Sequence, residues 1–243
     1  MIARANDMPN LPKLPFNWVW PLIAIGSTVA LTALALIVFY PNLPDPMPTH
    51  WNADLEADSW SPKTVTNFLF LLLLGPVITI LTLLGVQAML VMQSGAITGP
   101  GGAKTANEAH RQWETYKATM THMGWYLCLL NVIVLVMVIN SLRAQPFAAG
   151  FVLSLVAIGV ATVALVWVLL KKEKEIVKKY PRSPEDQAKR WGIFFNDPDD
   201  KRILIENSPG MNFTFNVGHT PGKIAAATVL GLPILILVVV IAV

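Results

Sequence analysis

The sequence predicts an all-α polytopic membrane protein of about five transmembrane helices, with a small cytoplasmic three-stranded antiparallel β-meander. Three observations predict it. Charged residues make up 14% of the 243 residues, against about 25% in an ordinary soluble domain. The deficit is concentrated in long runs with no charge at all, the pattern of helices that cross a bilayer. Between the last two runs the apolar residues alternate every second position, the period of a half-buried strand.

Residues 1–17 carry Pro9, Pro12 and Pro15 with Arg4 and Lys13. Proline fixes φ and removes donors, so this segment reads as extended. Trp18 and Trp20 mark a membrane interface. The first span runs from about Trp18 to Tyr40. Its apolar core is too long for a signal-peptide h-region, and Phe39-Tyr40-Pro41 is not a cleavage site, so it reads as a retained span. The second span, about Val65 to Val91, starts behind Ser61-Pro62 and should kink at Gly75-Pro76. Its polar residues Asn67, Thr79, Thr82 and Gln87 are expected to hydrogen-bond a neighbouring helix.

Residues 94–102 are a Gly-rich break without P-loop spacing. Ala106, Ala109, Trp113, Tyr116, Met120 and Met123 then recur at helical spacing. That stripe predicts an amphipathic helix lying along the headgroups. Spans three (about Met123 to Leu142) and four (about Phe147 to Leu170) are joined by Arg143-Ala144-Gln145-Pro146, so they form an antiparallel hairpin. Span four runs out into Lys171-Lys172-Glu173-Lys174-Glu175-Ile176-Val177-Lys178-Lys179, read as a solvated charged rod that also serves as a stop-transfer cluster. Ser183-Pro184-Glu185-Asp186 is a capped helix start. The meander follows in residues 191–217, with strands around Trp191 to Phe195, Ile203 to Ile205 and Met211 to Val217. A fifth span, about Lys223 to Val243, closes the sequence.

Orientation follows from charge. Of 18 Lys and Arg, only Lys63 and Arg143 lie in the first and third loops. The positive-inside rule therefore places the N-terminus and the meander in the cytoplasm, and loop 41–63 outside. The localisation expected is an inner or plasma membrane, with the C-terminus extracytoplasmic. The single cysteine, Cys128, excludes an intrachain disulfide framework and reads as a small lipid- or helix-facing residue.

No ionisable residue falls in the middle of a predicted span. Ion-coupled transport and intramembrane proteolysis both need such groups. His50, His110, His122 and His219 lie in loops or at span ends, without the facing pair that a bis-His haem needs. No metalloprotease His-Glu-x-x-His or nucleophile elbow is present. The expectation is a protein that is not an enzyme and has no cofactor, metal or nucleic-acid partner.

The first loop carries the candidate site. His50, Asp54, Glu56 and Asp58 offer imidazole and carboxylate groups, though no spacing among them is diagnostic of a metal. Alternatively, His50 and Asp58 hydrogen-bond backbone within a Pro-stiffened loop. Trp51 and Trp60 serve either as interfacial anchors or as walls of a pocket. His50, Trp51, Asn52, Asp54, Asp58 and Trp60 are thus candidate ligand contacts, and the acidic charge favours a cationic or amphipathic peptide. On the opposite side, Trp191, Phe194, Phe195, Phe213 and Phe215 are candidate contacts for a protein partner.

Leu43-Pro44-Asp45-Pro46-Met47-Pro48-Thr49-His50-Trp51-Asn52, followed by Ala57-Asp58-Ser59-Trp60-Ser61-Pro62-Lys63, resembles the first loop of a widespread bacterial membrane domain of unknown function. SdpI-type toxin-immunity proteins carry that domain. Pro44, Pro48, His50, Asn52, Asp58, Trp60 and Lys63 fit its pattern, while Leu55 stands where the family usually has Gly. Residues 191–202 and 211–216 resemble a second short domain, also of unassigned function, often found behind the first. The resemblance implies a membrane protein that receives a signal or confers immunity. An accessory subunit of a larger membrane complex is the other reading of the sequence.

Overall fold

The computed structural model describes residues 8–52, 56–99, 102–143, 145–183, 189–191, 194–208, 212–229 and 231. The start of the N-terminal segment, the helix expected after Ser183 and most of the fifth span lie outside the described residues.

Among the described residues four helices are long and apolar enough to cross a membrane. The first span comprises α1 (Val19–Leu34), a π turn (Ala35–Phe39) and a 3₁₀ turn (Tyr40–Asn42). The others are α2 (Val65–Ala96), α3 (Ala106–Ser141) and α4 (Ala148–Lys179). A hairpin of β1 (Met47–Trp51) and β2 (Ala57–Ser61) fills the first loop. Towards the C-terminus lie β3 (Arg190–Trp191), β4 (Phe194–Phe195), β5 (Leu204–Ser208) and β6 (Asn212–Phe215). Residues 220–229 are helical.

Helix ends follow local chemistry. The Thr64 hydroxyl accepts the Asn67 N–H (3.1 Å) and caps α2. Thr105 accepts the Glu108 N–H (3.2 Å), while the Glu108 carboxylate turns back to the Lys104 N–H (2.8 Å), a variant of the capping box at α3. Pro76 sits inside an uninterrupted α2.

Two compact units make up the chain. The first holds Leu14–Met92 and Thr115–Lys174. One of its cores, Ala24, Leu83, Leu127 and Cys128, draws α1, α2 and α3 together. Close approach rests on small residues, as is usual between helices in lipid. A Cβ on Gly124 would fall inside the Trp20 indole, and one on Gly75 would stand 2.6 Å from Val134 Cγ1. Asn131, fully buried, donates to the Thr28 hydroxyl (2.8 Å) and ties α3 to α1. Cys128 is helix-facing, its thiol directed at the Trp20 carbonyl (3.2 Å). A second core combines Ala35, Leu43, Met47, Phe68, Leu72, Leu135 and Leu142. Met47, from the hairpin, is fully buried there.

The second unit holds Met1–Lys13, Gln93–Glu114 and Glu175–Val243. Within it the charged end of α4 is clasped by α3. Arg111 donates to the carbonyls of Tyr180 (3.1 Å) and Pro181 (2.7 Å), the two residues that follow the end of α4. His110 stacks on Tyr180 at 4.8 Å, and Glu114 reaches Lys179 at 3.7 Å.

Three expectations change. The amphipathic segment and the third span are one unbroken helix, α3. Its stripe packs against the chain: Ala109, Tyr116 and Met120 are buried, and Trp113 donates to the Pro12 carbonyl (2.8 Å). The rod after span four is exposed or half-exposed along its length, as expected, with its end tied to α3. Thr79 and Thr82 bond back to Gly75 and Ile78 in their own helix. Gln87 instead accepts the Asn17 N–H (2.9 Å) just before α1, and Asn67 reaches Ser61 and Pro62 in the loop (3.0 Å each).

Finally, the described strands form two-stranded sheets, not one meander. The expected strand from Trp191 to Phe195 is split. Trp191 pairs with Phe194 and Arg190 with Phe195, so alternation over five residues spans a hairpin. Phe195 then meets Asn216 in a parallel bridge.

Replacing Gly124 with Leu should lower the detergent melting temperature, by the about 1–3 kcal/mol typical of overpacking. Gly26→Leu, where nothing lies within 4 Å of the new Cβ, should leave it unchanged.

Candidate functional site

The loop between the first two spans is poor in donors. Pro41, Pro44, Pro46, Pro48 and Pro62 have no N–H. Its carbonyls therefore need outside donors, and Lys63 supplies them. The Lys63 ammonium binds the carbonyls of Pro41 (3.0 Å) and Leu43 (2.8 Å) and stands 5.4 Å from the Tyr40 ring. Its N–H donates to the Asp45 carboxylate (3.1 Å). Asp45-Pro46 is a cis peptide.

On this base the hairpin pairs Met47 with Ser61, Pro48 with Trp60, His50 with Ser59 and Trp51 with Ala57. Its tip is braced by Asn52, whose N–H meets the Glu56 carbonyl (3.0 Å) and whose side-chain oxygen takes the Glu56 N–H (2.8 Å). Met47 and Pro48 are buried. The Trp51 indole N–H donates to the Ser141 carbonyl (2.9 Å), one of the open acceptors at the end of α3.

The outward side is polar and aromatic. His50 Nδ1 lies 2.5 Å from an Asp58 carboxylate oxygen, and both side chains are solvent-accessible (68% and 46%). Trp60, two residues on and so on the Asp58 face of β2, is 52% exposed. Among the described residues no third His, Cys, Asp or Glu joins His50 and Asp58. Thus the structure pairs His50 with Asp58 and leaves Trp60 exposed two residues further along β2, whereas Trp51 and Asn52 serve as braces. Asp54 lies outside the described residues. His50 and Asp58 bond each other, not the backbone.

Sequence reasoning missed the hairpin itself and the role of Lys63. The available signals were the turn-forming run Asn52-Ala53-Asp54 between two segments rich in Thr, Ser and Trp, and a lysine at the mouth of a Pro-rich loop.

The candidate partner surface centres on Asn216, another residue that sequence reasoning passed over. Its side chain, fully buried, donates to the carbonyls of Asp197 (2.8 Å) and Asp200 (2.7 Å) and accepts the N–H groups of Asp197 and Gly218 (3.0 Å each). All four hydrogen-bonding positions of the amide are used. Gly218 is required because a Cβ would stand 2.5 Å from the Asp197 carbonyl carbon. His219 Nδ1 accepts the Gly222 N–H (3.2 Å), so Nε2 carries the proton given to the Arg202 carbonyl (3.1 Å). Phe194, Phe195 and Phe215 are half-buried. The side chains of Trp191 and Phe213 lie outside the described residues.

Arg202 grips Asp200 through two side-chain nitrogens (2.5–3.1 Å) and its own N–H (3.0 Å). These bonds hold the Asp200 carboxyl down at about 2. Lys189, 3.0 Å away, likewise lowers Asp197.

A family model described as Domain of unknown function (DUF1648) matches residues 28–75. The match covers the second half of α1, the whole hairpin loop and the first turns of α2, and so includes every residue of the outward His50, Asp58 and Trp60 face. No curated protein and no solved structure matches the chain.

Removing the ammonium with Lys63→Met should cost the loop about 1–2 kcal/mol, less than a fully buried charged hydrogen bond because the site is part-exposed. Hydrogen exchange at residues 47–51 and 57–61 would report it as faster amide exchange. The depressed Asp200 value makes its contribution complete above the ordinary carboxyl value of about 3.9, and lost as pH falls towards about 2. Carbon-13 titration should place the Asp200 midpoint near the lower value and, in Arg202→Gln, back near the ordinary one.

Proposed function

We propose that this chain is a non-enzymatic integral membrane protein of sensing or immunity type. Its hairpin loop faces the outside of a bacterial inner or plasma membrane and binds an extracytoplasmic peptide or envelope ligand. Its β3–β6 region lies in the cytoplasm with the N-terminus and engages a protein partner through Trp191, Phe194, Phe195, Phe213 and Phe215. The observation that carries the reading is the construction of the hairpin. Met47, Trp51 and Lys63 hold it from behind, and the exposed His50, Asp58 and Trp60 are left for something else.

An exposed tryptophan beside an acid–imidazole pair suits a cationic or amphipathic peptide. The indole offers area and cation–π attraction, and the carboxylate offers charge. Support for the orientation comes from the scarcity of Lys and Arg in the two loops on that side. The resemblance to SdpI-type loops, and of residues 191–216 to the short domain often found behind them, supports the immunity reading. The proposal includes no cofactor and no nucleic-acid partner.

A second reading is an accessory subunit of a membrane complex. It is favoured by the exposed apolar flank of α4, including Val156, Val160, Val163 and Trp167, which a partner helix could cover as well as lipid. Purification in mild detergent as a lone monomer would sink that alternative.

The sensing reading is tested by challenging cells with secreted peptides. His50→Ala and Asp58→Ala should each reduce protection about tenfold, the scale of one charge-assisted hydrogen bond. Glu56→Ala should be neutral, because Glu56 uses only its backbone. Equal tolerance of all three changes, or no change in sensitivity on deleting the chain, contradicts the proposal.

A further inference from the structure

A cleft of about 310 Å³ opens between the first span, α3 and α4. Leu34, Phe39, Val136, Ile139 and Phe147 form its walls. Gly150 and Ser154 contribute no bulk where α4 borders it. The polar groups around it are already engaged. Asn140 donates to the Phe147 carbonyl (3.0 Å) and accepts its N–H (3.1 Å), and the Ser154 hydroxyl bonds Gly150 (2.8 Å). The interior therefore offers an occupant apolar contact alone. The cleft is open at the side, since Leu34 and Val136 are each 49% exposed. On a helix that spans a bilayer, such a face meets acyl chains.

Arg143 also lines the cleft, two residues past the end of α3. Its guanidinium is held 5.3 Å over the Phe39 ring. Among the described residues no carboxylate pairs with it. An apolar slot between spanning helices and a guanidinium at its end, without a carboxylate among the described residues, are the two halves of a site for an anionic amphiphile. A guanidinium binds phosphate through paired donors. The volume is at the low end of the range of about 300–1,000 Å³ for small-molecule sites, which suits one chain and not two.

We propose that this cleft binds an anionic phospholipid, one acyl chain between α1, α3 and α4 and the phosphate on Arg143. None of the hairpin residues His50, Asp58 or Trp60 takes part. The site therefore stands apart from the sensing proposal and does not depend on which side of the membrane the hairpin faces.

The test uses the full chain in nanodiscs of phosphatidylcholine doped with phosphatidylglycerol, released into detergent for native mass spectrometry. The wild-type chain should retain phosphatidylglycerol in preference to phosphatidylcholine. Arg143→Gln should reduce that retention about fivefold, the worth of one cation at an anionic surface. Val136→Trp, which fills the cleft, should reduce retention of both lipids. Lys171→Gln, an equal loss of charge on α4 outside the cleft, should change nothing. Retention by Arg143→Gln equal to wild type overturns the proposal, as does an equal loss in Lys171→Gln. Displacement of the lipid by inorganic phosphate would reduce the site to a phosphate contact. A dimer without retained lipid would make the cleft an interface between two copies. Either result overturns the lipid assignment.

Discussion

A loop with five prolines has more carbonyls than it can satisfy, and Lys63 resolves the imbalance. Its ammonium closes over Pro41 and Leu43 and its N–H fixes Asp45. The end of the first span and the start of α2 thereby become a single base. The hairpin is then positioned by two further contacts of different kinds. Met47 is driven inward by the hydrophobic effect, and Trp51 is oriented by a directional bond to the end of α3. With the hairpin held in this way, the His50, Asp58 and Trp60 side chains remain exposed. The candidate surface is thus a consequence of satisfying backbone, not a separate construction.

The helices below follow the logic of packing in lipid, where apolar surface gives no preference for protein over solvent. Contact is won by removing side-chain bulk at Gly124 and Gly75 and by adding single polar links. Asn131 to Thr28 and Gln87 to Asn17 fix α1 against α3 and α2. Each link has a cost. The Asn131 oxygen and the Gln87 amide nitrogen find no partner among the described residues, which opposes part of the gain from the bonds they make. Such half-used amides fix the register between helices more than they add stability.

What the sequence shows and hides follows from the range of each signal. The four described spans are legible because an uncharged run of twenty residues has few alternatives. Capping at Thr105 and Glu108 is equally local and could be read directly. By contrast, the stripe from Ala106 to Met123 declares an apolar face without saying what covers it, and Pro12 is far away in sequence. Alternation at Trp191, Ile193 and Phe195 fits one strand as well as two arms of a hairpin. Lys63 and Asn216 were hidden for a deeper reason. Their roles are to satisfy backbone groups, and composition and periodicity carry no record of which carbonyls are left open. In the candidate site, His50, Asp58 and Trp60 stand out by residue type, but the division between braces and outward groups needs the fold.

The spans differ in length, and this sets the conditions under which the chain can sit comfortably in a membrane. Helices α2, α3 and α4 have 32, 36 and 32 residues, or about 48–54 Å at 1.5 Å per residue. Each exceeds a hydrocarbon core of about 30 Å and can absorb a change in thickness by tilting or by extending into water. The first span has 24 residues, about 36 Å on the same scale. It is bounded by Trp18 at one end and by the locked turn at Lys63 at the other. Among the four described spans this one is the shortest, and hydrophobic matching of those four is governed by it. A thicker bilayer would be felt first at its ends, the Trp18 side and the base of the hairpin.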